Sequence, residues 1–493
     1  MQLADSYLDS QKRDAHQARP EQVEAQEKKR AAENLYADAD LSASANQPVK
    51  PQDGNSCPSS VPYLKLVNRA LENFYDPSRL TATQVQEIKS KYNCSIKSDA
   101  DAVKYADEAL KTLQDDYTDV ITKPETVEIL RSENGEISGI GIELKDNSPK
   151  KGPAAATDIA TDKTSDKAVD KAVDKAVEPN QIVINKVVEN SPALAGGLKA
   201  GDRIVKVDNE PIDTETATDT AKLIRGEVGT KVKLTVERQG KEEVVEMTRA
   251  LIDFPAVKSE MRDGYLHLSV QTFGQSDTSD EVKAAIQGHP DAKGYILDLR
   301  NNPGGFVMEA LKTGSLFMTK GEMLRTRTRA ADPDAVDFET TNYTLNDKGI
   351  QLSSKYDSDP QGKPFEGALM QRHPDLVDKP VVILVNENSA SASELLTGAM
   401  KDNKEAYVIG NQTYGKGIGQ ITFRNGLPDG SWLKVTNFQY FTPNGTWPGD
   451  AHNRKYGIAP DLKVTLPKDV QMNSPEDIQL KAALDYLKSK ETK

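Results

Sequence analysis

The sequence predicts a multidomain α/β protein, and three patterns along its 493 residues support this. From residue 253 onward, apolar runs such as GYILDLR (294–300) and PVVILVN (380–386) alternate with helix-like segments, which is typical of a buried sheet covered by helices. Residues 127–252 contain shorter strand-like runs, which indicate a separate β-rich domain. Residues 62–126 have apolar side chains at helical spacing and predict a helical N-terminal region.

The protein begins with a polar arm over residues 1–61. Charged, helix-compatible runs are followed there by a stretch rich in serine, proline and asparagine, which is typical of a linker. Cys57 and Cys94 either form one disulfide, which would favour an oxidising compartment, or are two inert thiols.

The β-rich domain, 127–252, is interrupted by a charged, alanine-rich segment at 148–179. This segment repeats DKAV three times, and a four-residue period drifts around a helix and builds no apolar stripe, so we expect a solvated insertion. A helix is expected at 216–226. The strand-like runs of the domain are 137–144, 181–188, 202–208 and 231–239.

The α/β core is expected at 253–466. Its residues 327–375 are polar without a clear period and are expected to be a second insertion. Alternation on both sides of NGLPDG predicts a β-hairpin over 420–441. The last element, 467–493, is expected to be a helix with Ser474 as its N-cap.

Charge and hydropathy exclude some functions. The formal net charge is −13, and an acidic surface argues against nucleic acid as a partner, because phosphate contacts need clustered lysine and arginine. No apolar run approaches the about 20 residues that span a bilayer, so no integral membrane segment is expected. The polar N-terminus lacks the apolar segment of a signal peptide, so we expect a protein that stays inside the cell or one whose signal has been removed. Histidine and cysteine spacing predicts no metal site, and no cofactor is expected.

The segment SASASE (389–394) lies between a predicted strand and a predicted helix. A nucleophile at such a turn is exposed, and the N–H groups at the start of the helix can bind an oxyanion. Ser389 would lie near the strand end and Ser393 in the first helical turn, with Ser391 between them. This argument favours Ser391 but does not exclude Ser393.

A serine hydroxyl needs a base before it can attack. None of the five histidines has a glycine-framed setting, whereas Lys416 lies between Gly415 and Gly417. A lysine acts as a base only when neutral, and lowering its pKa from about 10.4 to about 7 takes about 4.6 kcal/mol, which burial in an apolar pocket can supply. Ser–Lys pairs are a known variant of the serine triad. The alternative is a surface lysine in a glycine turn.

Together these segments resemble the active-site region of carboxyl-terminal processing proteases, also called tail-specific proteases. The family signature places a lysine twenty-five residues after the serine and a glutamine four residues further on, and Ser391, Lys416 and Gln420 have this spacing. Tyr414 stands where the family usually has phenylalanine. The resemblance implies that Ser391 is the nucleophile, Lys416 the base and Gln420 the residue that orients the lysine.

The segment GYILDLRNNPGG (294–305) resembles the strand and glycine turn that help to form the family's oxyanion hole. The resemblance implies that Gly304 or Gly305 supplies one N–H donor and that Ala392 supplies the other. It also implies a protease core of the ClpP/crotonase-like type.

Residues 127–252 resemble the PDZ domain of the same family, with SPALAGGLKAGDRIVKVDNEPI (191–212) as its core signature. A PDZ groove holds a C-terminal carboxylate in backbone N–H groups and adds the peptide as a strand. The segment ISGIGIEL (137–144) resembles the carboxylate-binding loop and its strand. The peptide-binding residues implied by the resemblance are Gly139, Ile140, Gly141 and Ile142.

The sequence therefore predicts a serine endopeptidase that acts through an acyl-enzyme at or near the C-terminal tails of protein substrates. Two alternatives stay open: a non-catalytic scaffold that binds tails through its PDZ domain, and another Ser–Lys hydrolase with a small substrate. The intact Ser–Lys–Gln spacing argues against the first, and a peptide-tail groove argues against the second. Expected partners are protein or peptide substrates with C-terminal tails, and an adaptor or self-association stays open. Family habit implies an extracytoplasmic location, periplasmic or secreted.

Overall fold

A computed structural model describes most of the residues after position 60. The expected arm at 1–61, apart from its last residue, lies outside the described residues, as do the expected insertion at 148–179 and both cysteines. The described ranges are 61–92, 95–146, 181–212, 216–329, 337–371, 379–424, 430–467 and 470–491.

The α-helices of the described residues lie between positions 61 and 491, and none of these helices is both long and apolar enough to cross a membrane. Short 3₁₀ turns lie at Pro77–Arg79 and Lys111–Leu113. The α-helices are α1 (Val61–Asn73), α2 (Ala82–Ser90), α3 (Asp99–Leu110), α4 (Lys123–Glu133), α5 (Pro192–Ala195), α6 (Ala217–Ile224), α7 (Thr278–Gly288), α8 (Val307–Phe317), α9 (Ala392–Asp402) and α10 (Ile478–Glu491).

The β-strands are most frequent between residues 231 and 441. They are β1 (Asp119–Ile121), β2 (Glu136–Gly139), β3 (Ile142–Asp146), β4 (Ile182–Val187), β5 (Arg203–Val207), β6 (Glu210–Pro211), β7 (Lys231–Arg238), β8 (Lys241–Thr248), β9 (Ala250–Asp253), β10 (Val257–Arg262), β11 (Tyr265–Val270), β12 (Tyr295–Asp298), β13 (Gly321–Arg329), β14 (Phe338–Asn346), β15 (Gly349–Tyr356), β16 (Phe365–Gln371), β17 (Val381–Val385), β18 (Ala406–Gly410), β19 (Ile418–Phe423), β20 (Trp432–Phe441) and β21 (Leu462–Lys463).

The described residues within Asn134–Pro255 form one compact unit, and the other described residues form a second one. The smaller unit contains a sheet of order β3-β4-β5-β7-β8, in which β6 pairs with β5, and a separate β2–β9 pair. Helix α6 packs beside the edge strand β3. We expected this domain at 127–252, whereas α4 belongs to the larger unit.

The larger unit is built on a six-stranded sheet of order β10-β11-β12-β17-β18-β21. The strands from β11 to β21 are parallel, and every residue of β12 and β17 is buried, as expected for strands covered on both faces. The backbone leaves β12 toward the glycine turn Gly304–Gly305 and leaves β17 toward SASASE. Because parallel neighbours end at the same edge of a sheet, both segments lie at one edge, the usual place for a site in such folds.

A second sheet in the larger unit has the order β1-β20-β13-β14-β15-β16, with β19 also paired to β20. Helices α1 and α3 share one apolar cluster with Ile418, Phe423, Leu433 and Val435 of β19 and β20. The N-terminal helical region therefore packs on the hairpin that was expected at 420–441.

Residues 327–375, expected as an insertion without a clear period, contribute β14, β15 and β16 as an antiparallel meander on β13. These strands carry many threonine, serine and asparagine residues of intermediate exposure, so apolar and polar positions do not alternate cleanly. The segment thus has regular structure that its hydrophobic pattern does not indicate.

The last helix, α10, begins at Ile478, so the expectation that Ser474 is its N-cap was wrong. Asp477 caps it instead, because one carboxylate oxygen accepts two backbone N–H groups of the first turn at 3.0 and 3.1 Å. The other oxygen accepts from Arg300 at 2.8 Å. Asp477 thus caps α10 and also connects this helix to Arg300, which lies two residues after β12.

Candidate active site

The three serines of SASASE have different surroundings. Ser389 and Ser393 are fully buried, and their hydroxyls donate to the backbone carbonyls of Leu299 at 2.8 Å and Asn302 at 3.1 Å. Ser391 is partly exposed and has a φ of 55° and a ψ of −117° at the junction between β17 and α9. Non-glycine residues held at positive φ concentrate at functional sites. The surroundings therefore favour Ser391 as the nucleophile over Ser393, which the argument from the sequence did not exclude.

The glycine turn after β12 packs directly against the Ser391 turn. A Cβ atom on Gly304, whose φ is +98°, would lie 2.8 Å from both Ser391 Cβ and the Ala392 nitrogen. A Cβ on Gly305, whose φ is +144°, would lie 2.1 Å from the Phe273 carbonyl carbon. Both positions therefore need glycine, for space as well as for backbone conformation.

The N–H groups near this contact differ in whether they are already used. The Gly304 N–H donates to the Asn302 side-chain oxygen at 2.9 Å. Neither the Gly305 N–H nor the Ala392 N–H donates to an acceptor among the described residues. Of the three N–H groups expected to bind the oxyanion, those of Gly305 and Ala392 are therefore the two that are available to donate to a substrate.

Lys416 lies in a closely packed loop between β18 and β19. A Cβ on Gly415 would lie 2.8 Å from Lys455 Cα, and one on Gly417 would lie 2.7 Å from the Trp447 ring. The Trp447 indole N–H donates to the Gly417 carbonyl at 2.8 Å. The flanking glycines thus allow close packing, which holds the lysine backbone in place.

The Lys416 side chain is largely enclosed. Its Nζ donates to Gln420 Oε1 at 3.2 Å and lies 4.1 Å from the centre of the Tyr117 ring. Burial is the main cause that lowers the pKa of Lys416 to about 8, and the nearby charge of Lys434 acts in the same direction. A lysine with this pKa is neutral in about one tenth of molecules at pH 7, far more than a lysine at the ordinary value of 10.5, and the neutral form is the one that a general base requires.

Glu394 connects the backbones of the candidate nucleophile and base. Its Oε2 accepts the N–H of Ser391 at 2.9 Å and the N–H of Lys416 at 2.8 Å. Its Oε1 accepts the Thr413 hydroxyl at 2.6 Å and the Gly415 N–H at 2.7 Å. Burial raises the pKa of Glu394, against the effect of these four donors. The sequence analysis did not predict a role for Glu394, although it is the last residue of SASASE.

Tyr440 makes the matching connection on the carbonyl side. Its buried hydroxyl lies 2.9 Å from the Ser391 carbonyl oxygen and 2.7 Å from the Lys416 carbonyl oxygen, so it donates to one of the two at a time. Ser391 and Lys416 are therefore joined through both their N–H and their C=O groups. No local pattern in the sequence indicates a role for Tyr440, because it is brought to the site by β20.

The residues expected to bind a peptide lie at one corner of the smaller unit. Gly139 ends β2 and Ile142 begins β3. Between them, Ile140 is 1% exposed, and Gly141 has a φ of +81° and no room for a Cβ, which would lie 2.3 Å from Ser191 Cβ. The four residues therefore form a tight turn that leads into the edge strand β3.

Comparison with known proteins agrees with this architecture. Residues 263–464 match the model of Peptidase family S41, and residues 183–238 match a PDZ domain model. A probable CtpA-like serine protease of Staphylococcus haemolyticus (strain JCSC1435) is 32% identical over 358 residues, which are 72% of this chain and 58% of that protein. The protein of the same name from Staphylococcus aureus (strain COL) is 30% identical over the same length. The sequence thus spans less than two thirds of these curated relatives.

Among solved structures, the photosystem II D1 C-terminal processing protease aligns with a TM-score of 0.50 and 21% identity. The alignment covers 87% of this protein and 97% of that one, and at this identity it supports the fold alone. The prediction of a mixed α/β core combined with a PDZ domain is confirmed. The protein therefore carries a peptidase domain that matches family S41 over residues 263–464 and a PDZ domain that matches over residues 183–238.

Proposed function

We propose that this protein is a serine endopeptidase that cleaves protein substrates at or near their C-terminal tails, with Ser391 as nucleophile and Lys416 as base. The observation that carries the proposal is the pair of connections between these residues, through the Glu394 carboxylate and the Tyr440 hydroxyl. A lysine with a lowered pKa, fixed to a strained and partly exposed serine, is the arrangement that Ser–Lys catalysis requires.

In the proposed reaction, neutral Lys416 accepts the Ser391 proton as the hydroxyl oxygen attacks the scissile carbonyl carbon. Gln420 accepts one Lys416 N–H and restricts rotation of the amine. The N–H groups of Gly305 and Ala392 stabilise the oxyanion, and loss of one such donor typically costs about 2.7–4 kcal/mol. Protonated Lys416 then donates to the leaving amine, and an acyl-enzyme forms. Water hydrolyses it, with Lys416 again as the base.

In this proposal the PDZ domain supplies the preference for tails. The N–H groups of the turn at Gly139, Ile140, Gly141 and Ile142 would hold the terminal carboxylate. The substrate backbone would add to the edge of β3 at which no described strand pairs, beside α6. The partners are then proteins or peptides with accessible C-terminal tails, met outside the cytoplasm.

The test is cleavage of an unfolded protein with an apolar C-terminal tail, followed by intact mass. Wild type should release shortened products, and Ser391→Ala and Lys416→Ala should each lose at least about 10³-fold in kcat/KM while staying folded, because they remove the nucleophile or its base. Lys320→Ala, at an exposed lysine, should cleave like wild type. Cleavage by Ser391→Ala would overturn the proposal. A silent wild type that still binds the tail would favour a scaffold.

A further inference from the structure

A short N-terminal segment reaches the candidate active site from outside both matched domains. Residues 115–118 directly precede β1, whereas the family matches cover 183–238 and 263–464. Asp115 and Thr118 are each 6% exposed, although both are polar. Buried polar side chains of this kind are tied into hydrogen bonds, and their partners show what they hold.

Asp115 and Thr118 hold Thr436 of β20. The Thr436 hydroxyl donates to Asp115 Oδ2 at 2.7 Å, and the Thr118 hydroxyl donates to the same oxygen at 2.6 Å. The Thr436 backbone N–H donates to the Thr118 hydroxyl oxygen at 3.1 Å. Thr436 is fully buried, so its one hydroxyl proton is committed to Asp115.

This commitment fixes the direction of the next hydrogen bond. The Thr436 oxygen lies 3.1 Å from Gln420 Nε2 and can only accept from it, because its own proton is used. The Gln420 amide must then present its NH₂ group to Thr436 and its oxygen to Lys416, 3.2 Å away. An ionised carboxylate only accepts, so Asp115 sets the direction of every hydrogen bond from Thr436 to the lysine.

Without Asp115, these hydrogen bonds could run the other way. Thr436 could donate to the Gln420 oxygen, and the amide would turn its NH₂ group toward the lysine. The N–H groups of protonated Lys416 would then face the NH₂ group of Gln420, and both are donors. In neutral Lys416, the lone pair would accept from this NH₂ group and would not be available to Ser391. The Tyr117 ring, which covers Lys416 Nζ at 4.1 Å, comes from the same segment as Asp115.

We propose that Asp115 is a positioning residue for the base: through Thr436 it fixes the Gln420 amide so that its oxygen accepts from Lys416 and the lysine lone pair is left for Ser391. This inference rests on the proposed function, and it extends the site to the N-terminal helical region. Asp115 does not touch the reacting atoms.

The test compares Thr436→Val and Thr436→Ser, which differ in the hydroxyl. Thr436→Val should lower kcat about tenfold with KM within about twofold, the size expected for one hydrogen bond that involves a charged group. Thr436→Ser keeps the hydroxyl and should stay near wild type. Asp115→Asn, which is isosteric and can donate, should behave like Thr436→Val. The control is Thr341→Val, at a buried threonine of β14 that pairs with Thr326 and Ser354.

A second readout is independent of cleavage. The pH dependence of Lys416 labelling by a trace amine-reactive reagent, read by peptide mass spectrometry, gives its ionisation midpoint. That midpoint should fall in Thr436→Val, which changes no charge, since the amide oxygen no longer faces the cation. It should stay unchanged in Thr436→Ser and Thr341→Val.

Asp115→Asn should lower the same midpoint further than Thr436→Val does. The charge of Asp115 itself raises the pKa of Lys416, so this variant loses that attraction as well as the orientation of the amide. An unchanged midpoint in Thr436→Val would overturn the inference even if the protein cleaves nothing. Equal losses of kcat in Thr436→Ser and Thr436→Val would also overturn it.

Discussion

Two buried polar clusters in the larger unit differ in whether their charged side chains hydrogen-bond to an opposite charge. In the arginine cluster, Arg300 donates to Asp298 at 2.7 and 2.8 Å and to Asp477 at 2.8 Å, so each buried charge faces an opposite one. In the dyad cluster, Glu394 faces N–H and O–H donors, and Lys416 faces an amide oxygen and an aromatic ring.

The pKa values follow this difference. Burial raises the pKa of Asp298, but the hydrogen bonds and charge of Arg300 outweigh burial and hold it at about 2. In the dyad cluster burial prevails: the pKa of Glu394 is raised, and that of Lys416 is lowered to about 8. Buried charges that are paired stabilise the fold. Buried groups that hydrogen-bond to no opposite charge have pKa values shifted toward neutral pH, where they can exchange protons.

The largest expected effect is on stability, at the arginine cluster. Arg300→Met leaves Asp298 and Asp477 buried without their cation, and removal of one member of a buried ion pair typically costs about 3–5 kcal/mol. The free energy of unfolding should fall by about this amount in a urea titration. The amides of α10 should lose protection from hydrogen exchange, because Arg300 ties that helix to the sheet.

Lys488→Met is the control for this prediction. Lys488 lies on α10, the helix that Arg300 contacts through Asp477. It pairs with Asp263 at 2.7 Å, but both side chains are about half exposed (49% and 58%). Such a pair is worth about 0–1 kcal/mol, so the change should be small. Equal losses in the two variants would contradict the distinction between buried and exposed pairs.

The next largest effect is expected at Glu394, where a substitution should lower kcat/KM more than it lowers the free energy of unfolding. Glu394→Gln replaces two acceptor oxygens by one oxygen and an NH₂ group that faces N–H donors of the site. We expect kcat/KM to fall about 100-fold, since the connection between Ser391 and Lys416 is lost, and the free energy of unfolding to fall by about 1–3 kcal/mol.

Glu309→Gln is the matched control in another part of the unit. Glu309 is also buried, at 3% exposure, and accepts from the Ser279 N–H at 2.8 Å and from Lys312 at 3.0 Å. It should lose stability but keep its kcat/KM per folded molecule. If Glu394→Gln behaved in the same way, Glu394 would be a structural residue and no more.

The sequence predicts the part of this site that lies in short, local signals. The order strand, turn and helix around Ser391, and glycines on both sides of Lys416, are visible in a few consecutive residues. Gln420 follows from the spacing of the family motif. The order of strands and helices in the core is visible for the same reason, since buried strands such as β17 are continuous apolar runs.

What the sequence does not predict depends on contacts between distant segments. Asp115 is far from Ser391 in the sequence and reaches the site because β1 pairs with β20 in the second sheet. Tyr440 reaches it because β20 also pairs with β19, which begins two residues after Lys416. Strands β14 and β15 were missed although the threonines and Tyr343 of β14 favour strands, because their half-exposed faces do not alternate. The cap at Asp477 was missed because two capping residues compete within four positions, and the pairing with Arg300 decides between them.

The smallest expected effect concerns the second cause of the lowered pKa of Lys416. Lys434 lies two residues before Thr436 on β20, and its charge lowers the pKa of Lys416 in addition to burial, against the opposite effect of Asp115 and Glu394. Only neutral Lys416 can take a proton, so kcat/KM should rise with pH up to about 8. Lys434→Gln removes the neighbouring cation and should raise the pKa of Lys416. The acid limb of the pH profile should then move to higher pH by less than about one unit.

Lys434→Arg keeps the charge and should leave the acid limb where it is in wild type. Because dissolved salt screens this effect, the shift in Lys434→Gln should be largest at low ionic strength. If Lys434→Gln leaves the limb unchanged, burial alone sets the pKa of the base. If Lys434→Arg moves the limb as far as Lys434→Gln, the shape of the side chain matters rather than its charge. In either case, the lowered pKa of Lys416 in the dyad cluster would be due to burial and not to the charge of Lys434.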